Sequence, residues 1–359
     1  MAKKRVLVAM SGGVDSSVAA AMLLEQGYAV EGATMQIWRD LTDETERITN
    51  GCCSLSAVDD ARAVCSALGI RYHVFNFKEI FERSVVRPFV QEYVRGRTPN
   101  PCILCNRIVK FEAFLNRALA LEFDYIATGH YGLIRRDNDT GRYLLCRSVA
   151  DRKDQTYALY NLTQRQLAHL LLPVGALDKP QVRGYAKAHG LPVFDKPDSQ
   201  EICFVRDNDY AAFIEREGYP AVPGDFVDTA GRVIGRHRGI YHYTIGQRKH
   251  LGMTFGKPMF VTAIDPTTNR VTLGENQETF QQTLYADDLN WIAFETLPPQ
   301  GVRCMAKIRY NGPAQAATVY PDGSDSVRVV FEQPARAVTP GQSAVFYDGD
   351  VVLGGGIIK

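Results

Sequence analysis

A chain of 359 residues is longer than one typical domain, so two or three are expected. With 45% hydrophobic and 23% charged residues, and no apolar run long enough to cross a bilayer as a helix, the composition excludes fibrous, low-complexity and helix-anchored membrane classes. A net charge of +1 leaves any nucleic-acid surface to a local patch.

The opening Met1-Ala2-Lys3-Lys4 passes directly into an apolar run and leaves no room for a secretory leader, so the cytosol is the expected compartment. Arg5–Ala9 reads as a strand, and the pattern from Val14 to about Gln26 as a helix. Between them lies Ser11-Gly12-Gly13-Val14-Asp15-Ser16-Ser17. Paired glycines permit close backbone approach, and the helix start aims N–H groups and its positive dipole end at an anion. Ser11, Ser16 and Ser17 add hydroxyls, and Asp15 is suited to a phosphate-bound magnesium ion. The lysine of a G-x-x-x-x-G-K-[ST] loop is absent, which argues against that form of phosphate chemistry.

Further strands are expected at Ala29–Met35, Arg71–Phe75 and Tyr125–Thr128, with helices over Ser56–Leu68 and Ile108–Leu121. The alternation predicts an α/β fold, a doubly wound parallel sheet with helices on both faces. Ligands in such sheets sit at the strands' carboxyl ends, where the Ser11 loop, Met35 and Thr128-Gly129-His130 emerge. Around Pro192–Phe204 the pattern breaks into a polar, proline-marked segment. From Pro223 onward short β pieces alternate with turns, and period-two alternation continues to the end. The organisation expected is 1–207, a catalytic α/β domain; 208–277, a small β-rich domain; and 278–359, a β-barrel.

Eight cysteines in a chain of this size do not resemble a secreted disulfide framework. Cys102 and Cys105 form a C-x-x-C in Pro99-Asn100-Pro101-Cys102-Ile103-Leu104-Cys105-Asn106, just ahead of a helical pattern. A helix N-terminus lowers a thiol's pKa and favours the nucleophilic thiolate. Cys203 lies far along the chain on a loop, and Cys52-Cys53 are adjacent. Three readings stand at this level. A zinc site lacks its second cysteine pair. An iron–sulfur cluster on Cys102, Cys105 and Cys203 is chemically reasonable. So is a nucleophile paired with a persulfide carrier. Isolated Cys65, Cys146 and Cys304 read as packing residues.

The SGGVDSS loop resembles that of the N-type ATP pyrophosphatases, of adenine nucleotide α-hydrolase-like fold, which cleave ATP to AMP and pyrophosphate. Taken with Gly96-Arg97-Thr98-Pro99-Asn100-Pro101, Cys105-Asn106, Ala127-Thr128-Gly129-His130-Tyr131, Lys153-Asp154-Gln155, Ile202-Cys203-Phe204, Gly246-Gln247-Arg248-Lys249, Arg309-Tyr310 and Thr339-Pro340-Gly341-Gln342, it makes nearly the whole chain resemble the tRNA-specific 2-thiouridylases. Those enzymes replace the C2 oxygen of the wobble uridine with sulfur.

The resemblance implies ATP on Ala9, Met10, Ser11, Gly12, Gly13, Val14, Asp15 and Ser16, with Met35 and Gly129 at the adenosine and Mg2+ on the phosphates. It implies that Cys203 carries a persulfide, and that Cys105 is the nucleophile that forms a disulfide with it. Asn100, Pro101 and Cys102 would line the target base. His130, Lys153, Asp154, Gln155, Arg309, Tyr310 and Gln342 match positions that contact tRNA. The partners implied are tRNA with a wobble uridine and an upstream persulfide donor protein. One departure is Cys102, where many relatives carry Asp. An amidating ligase with another acceptor, and a tRNA-binding sulfur carrier that does not turn over ATP, are the competing classes.

Overall fold

The computed structural model describes residues 2–37, 55–197, 202–205 and 209–359. Cys52, Cys53, Ser199, Gln200 and Glu201, noted in the sequence, lie outside them. The chain forms two compact units: Met1–Val85 with Cys102–Asn208 and Asp350–Val352, and Val86–Pro101 with Asp209–Gly349 and Leu353–Lys359.

In the first unit, strands β1 (Arg5–Ala9), β2 (Ala29–Gln36), β3 (Tyr72–Asn76), β4 (Tyr125–Ala127), β5 (Leu133–Arg136), β6 (Tyr143–Cys146) and β7 (Leu170–Leu171) follow in chain order. Of these, β3-β2-β1-β4-β7 form a sheet in that order, parallel throughout. Val6, Leu7 and Val8 are fully buried, as a strand covered on both faces requires. The helix Val14–Glu25 contributes Ala20 and Leu23 to a core with Val6, Val8, Ala61 and Val64, and Val18, Ala19 and Ala21 to another with Val174 and Val182. Its alanines let it be buried on several sides. β5 and β6 form an antiparallel hairpin, and Val351 pairs with Cys146.

Strand order reverses at β1, whose neighbours are β2 and β4, so the chain leaves β1 and β4 toward opposite flanks. The crevice beyond their carboxyl ends is where open α/β sheets bind ligands. The sequence places Ser11–Ser17 after β1 and Thr128–Tyr131 after β4.

The second unit adds β8 (Gly224–Val227), β9 (Val233–His237), β10 (Phe260–Asp265) and β11 (Arg270–Gly274), paired in the order β10-β11-β8-β9. It continues with β12 (Phe280–Trp291), β13 (Val302–Lys307), β14 (Gln315–Pro321), β15 (Val327–Arg336), β16 (Ser343–Asp348) and β17 (Val351–Ile358). Their order, β12-β15-β14-β13-β16-β17, closes into a barrel through β12–β17 pairing. Alternating inward residues such as Val327, Val329 and Phe331 fill it, together with Phe346, Val319 and Ala306. Trp291 packs on Phe294 and Phe346. Among the described residues no helix is long and apolar enough to cross a membrane.

Candidate active site

The loop after β1 is braced from within. Met10 donates its N–H to the Ala33 carbonyl at 2.8 Å and accepts from Thr34 Oγ1 at 2.7 Å, which ties it to β2. The Ser16 hydroxyl accepts the Ser11 N–H and donates to the Gly13 carbonyl, both at 3.2 Å, and Ser17 Oγ donates to the same carbonyl at 2.8 Å. Ser16 and Ser17 thus fix the loop's curvature. Gly13 is the N-cap of the helix and offers no side chain to cap the first-turn N–H groups, which is the local condition an anion site at a helix start needs.

Two glycines are required by contact. Gly12 has φ +66°, and a Cβ there would lie 2.3 Å from the Ala57 carbonyl oxygen. At Gly129 a Cβ would lie 2.6 Å from both the Asp15 carbonyl carbon and the Ser16 nitrogen. The β4 turn therefore rests directly on the loop. Met35, at the end of β2, is 8% exposed. The loop after β1 and the turn after β4 are thus in direct contact, and β2, which carries Met35, pairs with β1 beside them.

Three residues with no role assigned from sequence, one of them at the end of the Ala127–Tyr131 motif, complete this place. Lys179 Nζ lies 2.7 Å from Asp15 Oδ1 and 2.9 Å from Oδ2, and Tyr131 OH donates to Oδ1 at 2.8 Å. Lys196 Nζ donates to the Gly12 carbonyl at 3.0 Å and to Asp60 Oδ2 at 2.5 Å. Lys179 opens the helix Lys179–Ala188, which is capped by Asp178 in a reciprocal box with Gln181. Arg183 of the same helix grips the Phe194 and Lys196 carbonyls, which steadies the segment bearing Lys196. The missing loop lysine is the signal that a cation must come from elsewhere, but it does not say from where.

The cysteine geometry departs from expectation in one respect. A helical turn, Pro101–Leu104, comes first, and Cys105–Ala113 is a π-helix that runs into Phe114–Ala120. Helix formation starts at Pro101, whose fixed φ suits a first helical position. Cys102, which is exposed, therefore occupies the first turn, and Cys105, 8% exposed, lies at the α-to-π transition rather than at the N-terminus. π segments recur at functional sites. Asn106 anchors this turn through Nδ2 to the Ala158 carbonyl at 2.9 Å.

Cys203 is half-buried in a turn closed by Val205 N–H to the Ile202 carbonyl at 3.0 Å. Its neighbour Phe204 packs edge-on against Phe81 at 5.7 Å. Cys102, Cys105 and Cys203 are all thiols, with no disulfide among the described cysteines. No three His, Cys, Asp or Glu side chains among the described residues converge as a metal site, so the three thiols do not gather as an iron–sulfur ligand set. Burial raises the Cys146 thiol and pushes Cys65 up to about 11, in keeping with packing roles.

The expected tRNA residues divide by what holds them. His130 Nδ1 lies 2.8 Å from Thr128 Oγ1, with its ring against Phe111. Asp154 accepts from the Ser148 N–H and Thr156 Oγ1, and Gln155 Oε1 accepts the Tyr131 N–H at 2.9 Å. Gln155 thus braces the turn that delivers Tyr131 to Asp15. Lys153, next to them, is partly exposed. In the second unit Arg309 donates to the Arg336 and Ala337 carbonyls at 2.6 and 2.8 Å. Tyr310 is 38% exposed, with Lys307 Nζ 5.8 Å from its ring centre. Gln342 Nε2 donates to the Thr98 carbonyl at 2.7 Å.

With this geometry in place, comparison with known proteins fixes the family. Three family models match consecutive stretches: a tRNA methyl transferase HUP domain over 4–207, a tRNA methyl transferase PRC-barrel domain over 211–275, and an aminomethyltransferase beta-barrel domain over 281–358. The chain is 60% identical, over the full length of both, to the tRNA-specific 2-thiouridylase MnmA of Acetivibrio thermocellus. It belongs to the tRNA-specific 2-thiouridylase family. It is 53% identical to the Clostridioides difficile protein of that name, over 99% of this chain and 98% of the other. The figure is 55% for the Carboxydothermus hydrogenoformans protein, over the same shares. The two tRNA-named family models say methyl transferase where these full-length relatives say thiouridylase. A sulfur-transfer family fits the thiols at 102, 105 and 203, and membership rests on those relatives.

Proposed function

We propose that this chain is a cytosolic tRNA 2-thiouridine synthase that activates the wobble uridine with ATP and replaces its C2 oxygen with sulfur. One observation carries the reading: a Ser/Gly loop without a lysine of its own sits at the switch point of a parallel sheet, under Gly129 and beside Lys179. Such a cradle suits the phosphates of ATP. Residues Ala9–Ser16 would hold the nucleotide, with Met35 and Gly129 at the adenosine. Asp15 would hold a phosphate-bound magnesium ion by a carboxylate that Lys179 and Tyr131 already orient, since Mg2+ commonly takes one or two carboxylates beside substrate phosphates. Residues 1–207 would carry the chemistry, with 208–277 and the barrel 278–359 engaging tRNA.

The uridine C2 oxygen attacks the α-phosphorus of ATP, pyrophosphate leaves, and C2 carries AMP as its leaving group. The terminal sulfur of a Cys203 persulfide, loaded by an upstream donor protein, attacks C2 and AMP departs. The Cys105 thiolate then attacks Cys203 Sγ, which forms a Cys105–Cys203 disulfide and leaves the second sulfur on C2. A thiol reductant supplies two electrons and two protons to restore both cysteines. Asn100, Pro101 and Cys102 would line the splayed base. Lys153, Arg309 and Tyr310 would meet the RNA; His130, Asp154 and Gln155 match the same set.

Anaerobic incubation with unmodified tRNA, ATP, Mg2+ and a persulfide-bearing donor protein, followed by nucleoside mass spectrometry, tests the proposal. Appearance of 2-thiouridine supports it. An ATP-dependent product other than 2-thiouridine, on tRNA shown to bind, would replace it with a different acceptor.

A further inference from the structure

The first three residues of the stretch Gly96–Asn100 are each held by the barrel or its neighbours. Gly96 has φ +72°, and a Cβ there would lie 2.9 Å from Ile264 Cγ2 of β10. Arg97 Nε pairs with Glu92 at 2.7 Å, and Arg97 Nη2 donates to the Ile358 carbonyl at 3.2 Å. Thr98 is gripped at both of its backbone groups: its N–H donates to the Pro340 carbonyl at 2.9 Å, and its carbonyl accepts Gln342 Nε2 at 2.7 Å. Between those two grips, Gly341 has φ +89°, and a Cβ there would lie 3.1 Å from Thr98 backbone atoms. Gln342 is itself fixed, its carbonyl accepting the Ile358 N–H at 2.8 Å. Pro99 and Pro101 follow, each with φ locked, so a hold on Thr98 is transmitted to Asn100.

We infer that Gln342 is a positioning residue that acts on the target base through Thr98, by presetting the strap that carries Asn100 and Pro101. The inference rests on the reading of Asn100 and Pro101 as lining the base. It departs from the expectation that Gln342 touches tRNA. The Gln342 carboxamide donates to a backbone carbonyl, and the residue is half-buried in a segment where Ala337, Val338 and Thr339 are each at most 6% exposed. A preset strap removes an ordering step from base capture and lowers the barrier to reaction, while the wider tRNA surface sets affinity.

The test uses the full-length enzyme with Gln342→Ala and the volume-matched Gln342→Met. Amide hydrogen exchange at Thr98 and Asn100 is followed without tRNA, alongside tRNA Kd and the single-turnover thiolation rate at saturating tRNA. Both variants are expected to raise exchange at Thr98 and to lower the rate about five- to tenfold, the scale of one lost hydrogen bond, with Kd within about twofold. Unchanged exchange, or a loss confined to Kd, overturns the inference. If the wild-type enzyme forms no 2-thiouridine, the function proposed above fails, and the exchange measurement alone decides the clamp.

Discussion

Lys179 places its ammonium 2.7 and 2.9 Å from the two carboxylate oxygens of Asp15, across 164 residues of chain. The loop thereby acquires a cation that its own sequence lacks, and Lys196 brings a second one to the Gly12 carbonyl. In the proposed reaction Lys179 faces the developing charge of pyrophosphate. Lys179→Met is expected to weaken ATP binding about 10–100-fold, since a charge-assisted contact contributes about 1.5–3 kcal/mol. Calorimetric titration of Mg-ATP measures this. Wild-type affinity in the variant would assign Lys179 to bracing Asp15 alone.

Gly129 carries a steric constraint. An added methyl would meet backbone atoms of Asp15 and Ser16 at 2.6 Å, and neither can swing aside as a side chain tip would. Gly129→Ala is therefore expected to push the β4 turn off the loop, at a cost of about 1–3 kcal/mol in stability. ATP binding should fall sharply while circular dichroism keeps the native secondary structure. A variant that binds ATP normally would show that this turn does not shape the nucleotide cradle.

The first sheet was legible because its strands are nearly continuous apolar runs. Arg5–Ala9 has the predicted bounds, and the next two strands, β2 and β3, fall within one residue of theirs. β7 is two residues long, too short for any periodicity to register, and the β5–β6 hairpin is masked by Arg135 and Arg136. The helix around Cys105 starts earlier than Ile108 because Pro101 nucleates it, and a π-helix carries no sequence period that a 3.6-residue pattern detects. Candidate loop residues stood out through glycine and serine chemistry. Lys179 did not: the Asp178 cap marks where its helix begins, whereas its contact with Asp15 depends on the tertiary fold.

The two cysteines separate the two halves of the proposed chemistry. Cys203→Ser cannot carry a persulfide, and Cys105→Ser cannot resolve one, yet neither residue belongs to the nucleotide loop. Both variants are expected to lose 2-thiouridine formation by at least about a thousandfold, as loss of a covalent nucleophile does. Both should retain tRNA-dependent release of pyrophosphate in a first turnover. Loss of that release together with thiolation would mean that the thiols take part in activating the base.

Reactivity toward alkylating agents should follow burial. Cys65 is 1% exposed, and desolvation pushes its thiol up to about 11. The folded state thus holds a proton that the unfolded chain releases near 8.5, the ordinary thiol value. This contribution to stability is complete below that value and is lost as pH rises through about 11. At pH 8 Cys65 therefore stays protonated, and the site is closed to reagent as well. Exposed Cys102 should therefore label first with iodoacetamide and half-buried Cys203 next, while Cys65 reacts only after denaturation. Peptide mass spectrometry over a time course reads the order, and early labelling of Cys65 in native protein would show that the sheet's core opens to solvent.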